Sequence, residues 1–262
     1  MEHQDTFLKR NPSWHFRFIL ISFLGFIVLD LAIKWYGSNF SINIEAYNYF
    51  HTLRTNVITN IAIVICLLGD KKVIIPTFGI ICLWLFFQKQ HRAAIYCFLT
   101  VASAVITTYL FKILVASSRP GDMTLALENF SFPSGHVTLI CAYLIFLYAL
   151  IAPAFHHAKQ RLMAIGFIVL IVAEIFARLL LDAHWVTDIL AGILLGTSCG
   201  LLGIYGYYRK FEPINNAKQL IAVVLLAFFI CSCIYMILFY KKMLNQYQIE
   251  NGVIGGSIHR KI

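Results

Sequence analysis

Phe132-Pro133-Ser134-Gly135-His136 runs directly into VTLICAYLIFLYALIAP, residues 137–153. A Pro-Gly turn opens onto an apolar run of transmembrane length, with a histidine at its threshold. The same pattern recurs on either side. Lys112 precedes Arg119-Pro120 by six intervening residues and closes the apolar run 93–114. Arg178, His184 and Asp188 straddle the junction of two more runs, 162–181 and 187–208. Charge at a membrane boundary is costly and calls for a reason.

The rest of the chain agrees with a membrane setting. Of its 262 residues 60% are hydrophobic and 13% charged, and the mean hydropathy is +0.77. A soluble domain is about half apolar and about a quarter charged. The fold class expected is all-α: a polytopic transmembrane helix bundle of one domain, with six core spans and an extra C-terminal span. The net charge of +9 is read as cytoplasmic loop charge and not as a nucleic-acid surface, for which no motif is present. Cys66, Cys82, Cys97, Cys141, Cys199, Cys231 and Cys233 all lie in apolar stretches. Their odd number and spacing suit small core residues, not a disulfide framework or a metal site.

The spans are expected at 17–36, 72–88, 93–114, 137–153, 162–181, 187–208 and 219–240. The chain then divides into a cytoplasmic N-terminal segment (1–16), a membrane core (17–210), an additional C-terminal transmembrane helix (211–243) and a flexible tail (244–262). The first run follows Lys9, Arg10 and Arg17 and lacks a small-residue cleavage site, so it is read as a retained span. Residues 41–69 mix Ile42, Ile44, Tyr47 and Phe50 with polar residues. They are expected to form an amphipathic helix at the interface or entering the bundle, not a full span. With the N-terminus inside, the short 89–92 and 154–161 loops are basic and cytoplasmic, and the three charged clusters face the outer side. Lys71, Lys72, Lys241, Lys242, Arg260 and Lys261 run against that rule.

Two carboxylates inside apolar runs have partners four residues on: Asp30 with Lys34, and Glu174 with Arg178. The first pair suits mutual neutralisation; the second admits an orienting role for Glu174 on Arg178. Gly192, Gly196 and Gly200 form a stripe that lets another helix approach closely, for internal packing before a dimer contact. Among the remaining histidines (His3, His15, His51, His91, His156, His157 and His259) only the adjacent His156 and His157 hint at a metal.

A phosphoryl group needs fixed donors around its oxygens and a nucleophile in line with the leaving group. Lys112, Arg119 and Arg178 are three cations at one membrane face. Arg offers a rigid fork and Lys a mobile point charge. Lys112 and Arg119 could share a helix face if the helix runs on to Arg119, although Pro120 argues for an end there. Ser134 and the Gly135 and His136 amides sit where a helix N-terminus presents N–H groups to anions. His136 could protonate a leaving alkoxide. His184 and Asp188 are helix neighbours, so a carboxylate could fix the imidazole and leave its other nitrogen to attack. A structural pair capping the helix near Trp185 is equally open at this point.

Lys-x6-Arg-Pro, Pro-Ser-Gly-His and Arg-x5-His-x3-Asp, in this order over residues 112–188, resemble the type 2 phosphatidic acid phosphatase superfamily. That family shares its helical bundle with vanadium haloperoxidases. The resemblance implies that Lys112, Arg119 and Arg178 hold the phosphate with Ser134 and Gly135. It implies that His184 becomes a phosphohistidine, that Asp188 orients it, and that His136 protonates the leaving group and then activates water. No metal or other cofactor is implied. Two departures stand out: Ala177 replaces the serine usual before the third-cluster arginine, and the 219–240 span exceeds the usual six.

The function expected is a membrane phosphatase for a lipid phosphate or diphosphate in a bacterial inner membrane, with the site on the periplasmic face. Undecaprenyl diphosphate is favoured over phosphatidylglycerol phosphate, phosphatidate and lipid A phosphate. The alternatives are a lipid phosphotransferase with the same intermediate and a non-catalytic lipid-binding or transport protein. Phosphatase and phosphotransferase both keep the full His136, His184 and Asp188 set in use, and the non-catalytic reading leaves it idle.

Overall fold

The computed structural model describes residues 12–121 and 130–257. The expectations placed on His3, Lys9, Arg10, His259, Arg260 and Lys261 lie outside them. The described residues form helices α1 (Pro12–Tyr36), α2 (Ser41–Thr52), α3 (Asn56–Leu68), α4 (Lys71–Phe87), α5 (His91–Val115), α6 (Gly135–Ile151), α7 (His157–Leu180), α8 (Val186–Tyr208) and α9 (Ala217–Ser257). A short 3₁₀ turn, Ala152–Ala154, extends α6. No strand occurs among the described residues, and the protein is a polytopic transmembrane helix bundle.

Among the described residues, six helices have 18 or more residues and are apolar enough to cross a membrane: α1, α5, α6 with its 3₁₀ turn, α7, α8 and α9. The run expected as a span at 72–88 is α4, which has only 17 residues. At 1.5 Å per residue that is about 26 Å, the short end of the spanning range, and α4 crosses the bundle as expected, from Asp70 beside His136 to Gln90 beside Pro213 at the opposite end. It packs against α5 and α9. Residues 41–69 form two helices, not the single amphipathic one expected. The break comes at Leu53–Thr55, where Thr55 turns extended and its hydroxyl accepts the Ile58 N–H at 3.3 Å to start α3. With 12 and 13 residues, neither α2 nor α3 can span. Helix α9 continues to Ser257, into the stretch expected as a tail.

The core is built around α6. Of its apolar window 78% is buried, against 17% for α7, which presents most of its surface outward. Helix α6 lies closest to α8, and the glycine stripe makes that approach possible. A Cβ on Gly192 would sit 2.9 Å from the Ser134 carbonyl oxygen, one on Gly196 2.4 Å from that of Thr138, and one on Gly200 2.9 Å from that of Ala142. The stripe therefore serves internal packing. Helix α9, the added element, covers α3 and α4. The four-apart pairs part ways: Arg178 and Glu174 bond at 2.8 Å, while Asp30 is buried, Lys34 is exposed and the two form no ion pair. His156 caps α7, its Nδ1 accepting the Lys159 N–H at 3.3 Å, and all seven cysteines are free thiols.

Gly196→Val places two branches where one Cβ already clashes with backbone, and no rotamer can relieve that. Overpacking of this kind costs about 1–3 kcal/mol, so thermal unfolding in detergent is expected several degrees lower. A matched Gly166→Val change, at a position with open space, is expected to leave the midpoint near its original value.

Candidate active site

The chain runs toward one end of the bundle in α5 and α7 and away from it in α6 and α8. The C-termini of the first pair and the N-termini of the second therefore meet there. Helix α5 stops at Val115 because Ala116 takes a left-handed φ of 51° and donates its N–H to the Lys112 carbonyl. Arg119 is therefore carried by the following loop and not on a helix face shared with Lys112. The two still converge. Lys112 Nζ donates to the Phe130 carbonyl and, at 3.2 Å, to that of Ser131. Arg119 Nη2 reaches the Phe130 carbonyl at 3.4 Å, and Nη1 donates to Ala183, the neighbour of His184.

The Pro-Ser-Gly-His turn sits between these cations and α8. Ser134 is fully buried and donates its N–H to the Asp188 carbonyl at 3.0 Å. A Cβ on Gly135 would lie 4.0 Å from Lys112 Cε. His136 follows as the second residue of α6, with Nε2 3.4 Å from Asp70 Oδ2.

Arg178, in the last turn of α7, is buried. Its Nε donates to Glu174 Oε1 at 2.8 Å and its Nη2 to the Cys66 carbonyl at 3.3 Å. Glu174 has room only because residue 69 is glycine: a Cβ there would stand 2.4 Å from Glu174 Oε2.

His184 and Asp188 are both buried, with Nδ1 3.3 Å from Oδ2. The same oxygen accepts the Trp185 N–H at 2.9 Å, so Asp188 caps α8 and holds the imidazole with one atom. Pairing through Nδ1 leaves Nε2 as the nitrogen with a lone pair to offer. Burial pushes the His184 pKa well below its ordinary value, and the nearby positive charges of Arg119, Lys112 and Arg178 push the same way. The ring is thus neutral, which a nucleophile requires. All eight residues expected at the site lie at this end of the bundle.

Four further residues were not singled out in the sequence. Arg54, in the α2–α3 break, donates through Nε to the Leu180 carbonyl at 2.6 Å and pairs through Nη2 with Asp182 at 2.7 Å. Asp182 itself holds a left-handed φ of 49°, two residues before His184. Asn43 of α2 is buried and brackets Thr187, donating to its hydroxyl at 3.0 Å and accepting its N–H at 3.1 Å. Helix α2 is thereby strapped over the His184 turn, enclosing a cavity of about 10 Å³ lined by Tyr47, Pro120, His184 and Trp185 among others. Asp70 is the fourth. An acidic residue just before an apolar run is an N-cap signal that could have marked Asp70; nothing local marks Asn43 or Arg54.

The model of the PAP2 superfamily matches residues 92–212. The chain is 23% identical over 210 residues to an undecaprenyl-diphosphatase of Sulfolobus acidocaldarius, covering 77% of this chain and 96% of that protein. It is 28% identical over 149 residues to phosphatidylglycerophosphatase B of Bacillus subtilis strain 168, covering 55% and 72%. The crystal structure of a transmembrane PAP2-type phosphatidylglycerolphosphate phosphatase from Bacillus subtilis superposes with a TM-score of 0.65 at 25% identity. That match covers 74% of this chain and 97% of the other.

Arg54→Ala leaves the buried Asp182 carboxylate with His51, 3.5 Å away, as its remaining ion-pair partner, at a cost of about 1–3 kcal/mol. The melting temperature in detergent is expected to fall accordingly. Adding Asp182→Gly to the same protein should recover most of the loss, because glycine removes the charge and adopts the positive φ without strain.

Proposed function

We propose, because this chain belongs to the PAP2 superfamily over residues 92–212, that it is a membrane phosphatase releasing phosphate from a lipid phosphate or diphosphate through a phosphohistidine. The observation that carries the reading is the buried His184–Asp188 pair at 3.3 Å, set among Arg119, Lys112 and Arg178. A neutral imidazole held by a carboxylate and ringed by cations suits attack on a tetrahedral anion. It is a poor design for merely binding one.

The steps follow from the groups present. Lys112, Arg119 and Arg178 take up the phosphate charge, with the Ser134 hydroxyl and the Gly135 and His136 amides at the α6 N-terminus. The His184 Nε2 lone pair forms an N–P bond as the bond to the leaving oxygen breaks. His136, protonated, delivers a proton to that oxygen. Positive charge gathers on the phosphorylated imidazole, whose Nδ1–H faces Asp188. Water then attacks phosphorus and gives its proton to His136, the N–P bond breaks, and inorganic phosphate leaves with His184 neutral again. Ala177 in place of serine removes one neutral hydrogen bond and no participating charge.

Undecaprenyl diphosphate is the favoured substrate, supported by the match to an undecaprenyl-diphosphatase over 96% of its length. Phosphatidylglycerol phosphate is next, on the second relative. A bacterial cytoplasmic membrane with the site facing outward suits the charges. Lys89, Arg92, Lys159 and Arg161 lie at the bundle end opposite the site, where the positive-inside rule expects cytoplasm.

The test is a panel of lipid phosphates and diphosphates presented to purified protein in detergent, with phosphate release measured. Wild type is expected to release phosphate, fastest from the diphosphate. His184→Ala is expected to abolish both release and an acid-labile, base-stable label from ³²P-substrate. Retained turnover in that variant would remove His184 as nucleophile.

The pH dependence has a definite sign. The neutral, nucleophilic His184 is lost as pH falls through its folded pKa, which lies below the ordinary 6.5. The acid limb of kcat/KM, corrected for ionisation of the substrate, is therefore expected below pH 6.5, and Arg119→Gln should move it upward.

A further inference from the structure

Each of the two site histidines stands against a carboxylate that also starts a helix. Asp188 does this for His184 at the head of α8. At the head of α4, Asp70 Oδ1 accepts the Lys72 N–H at 2.8 Å, while Oδ2 lies 3.4 Å from His136 Nε2. We propose that Asp70 is a positioning residue for His136, holding its ring through Nε2 and stabilising the imidazolium that protonates the leaving group. The proposal rests on the phosphatase reading and deepens it.

Geometry supports the assignment beyond the single contact. Capping fixes the Asp70 carboxylate before any charge appears on His136, so no reorganisation is needed when the proton moves. Pairing through Nε2 leaves Nδ1 as the atom that carries the transferred proton. The surroundings are built to hold Asp70 in place. Gly69, just before it, admits the Glu174 side chain, which bonds Arg178. The added helix α9 braces the other side: Tyr235 stands against Asp70, and the Phe239 ring lies 4.3 Å from Lys72 Nζ. Burial disfavours charge on Asp70, but His136 and the Lys72 N–H outweigh it and hold the carboxyl below its usual range. Asp70 is thus an anion at the pH where an imidazolium would need one. The role also gives α9 a purpose that the six-helix pattern lacks, namely to clamp the α3–α4 corner against the acid–base histidine.

The test uses leaving groups. An alkoxide must be protonated as it departs, whereas p-nitrophenolate leaves without help. The quantity kcat/KM covers only steps through departure of the first product, so it isolates the acid step from later hydrolysis. Asp70→Asn keeps a good helix cap and removes the charge. The expected result in the full-length protein is a fall in kcat/KM of about 10- to 100-fold for a short-chain alkyl phosphate, within the worth of a general acid. The fall for the p-nitrophenyl ester should be at least about tenfold smaller, and Asp70→Asn added to His136→Ala should cost nothing more on the alkyl ester. Equal losses on both esters, or full additivity with His136→Ala, would make Asp70 a structural cap and overturn the proposal. Wild-type protein that turns over neither ester nor any lipid phosphate sinks the phosphatase reading, and this inference with it.

Discussion

The site depends on how closely α6 and α8 approach. Glycines at 192, 196 and 200 put the backbone of α8 against the carbonyls of Ser134, Thr138 and Ala142. At these three positions α8 has no room for a side chain. That contact locks the N-termini of both at the same level, and the Ser134 N–H then reaches the Asp188 carbonyl at 3.0 Å. The phosphate-facing turn and the histidine–carboxylate pair are thereby parts of one rigid unit. In a bilayer, where lipid is as apolar as leucine, such close packing supplies much of what holds helices together.

Around that unit the difficulty is electrostatic. Lys112, Arg119 and Arg178 repel one another in a region of low dielectric, and each is answered by a fixed acceptor. Lys112 and Arg119 share the Phe130 carbonyl, and Arg178 has Glu174 and the Cys66 carbonyl. The cations are held in place by backbone oxygens and one buried carboxylate, so their combined field remains directed at the site. Burial, and with it the same field, keeps His184 neutral. One arrangement both attracts an anion and prepares the nucleophile for it.

Helix starts recur as the means of orientation. Asp188 caps α8 while facing His184, Asp70 caps α4 while facing His136, and Asn43 accepts the first-turn Thr187 N–H while anchoring α2 above the site. A capping side chain is fixed by its backbone bond at little further entropic cost. It is an economical place to put a group whose task is to hold another. The strap formed by α2 and Arg54 fits the same logic, since the turn it restrains includes a left-handed Asp182 that would not hold that backbone unaided.

Most of the bundle was legible from hydropathy alone, because a segment that crosses a bilayer must be long, apolar and internally hydrogen-bonded. The three motif clusters were legible because charge beside such segments is expensive and therefore conspicuous. Local signals also marked the α5 end near Pro120 and the glycine stripe. The break at residues 53–55 and the partners Asn43, Arg54, Asp70 and Asp182 were decided by the tertiary fold. Thr187 lies 144 residues from Asn43, and Leu180 lies 126 from Arg54. No periodicity records such pairings: hydropathy reports each residue's preference for lipid or water, whereas the choice of partner is settled only when packed helices bring distant ends together.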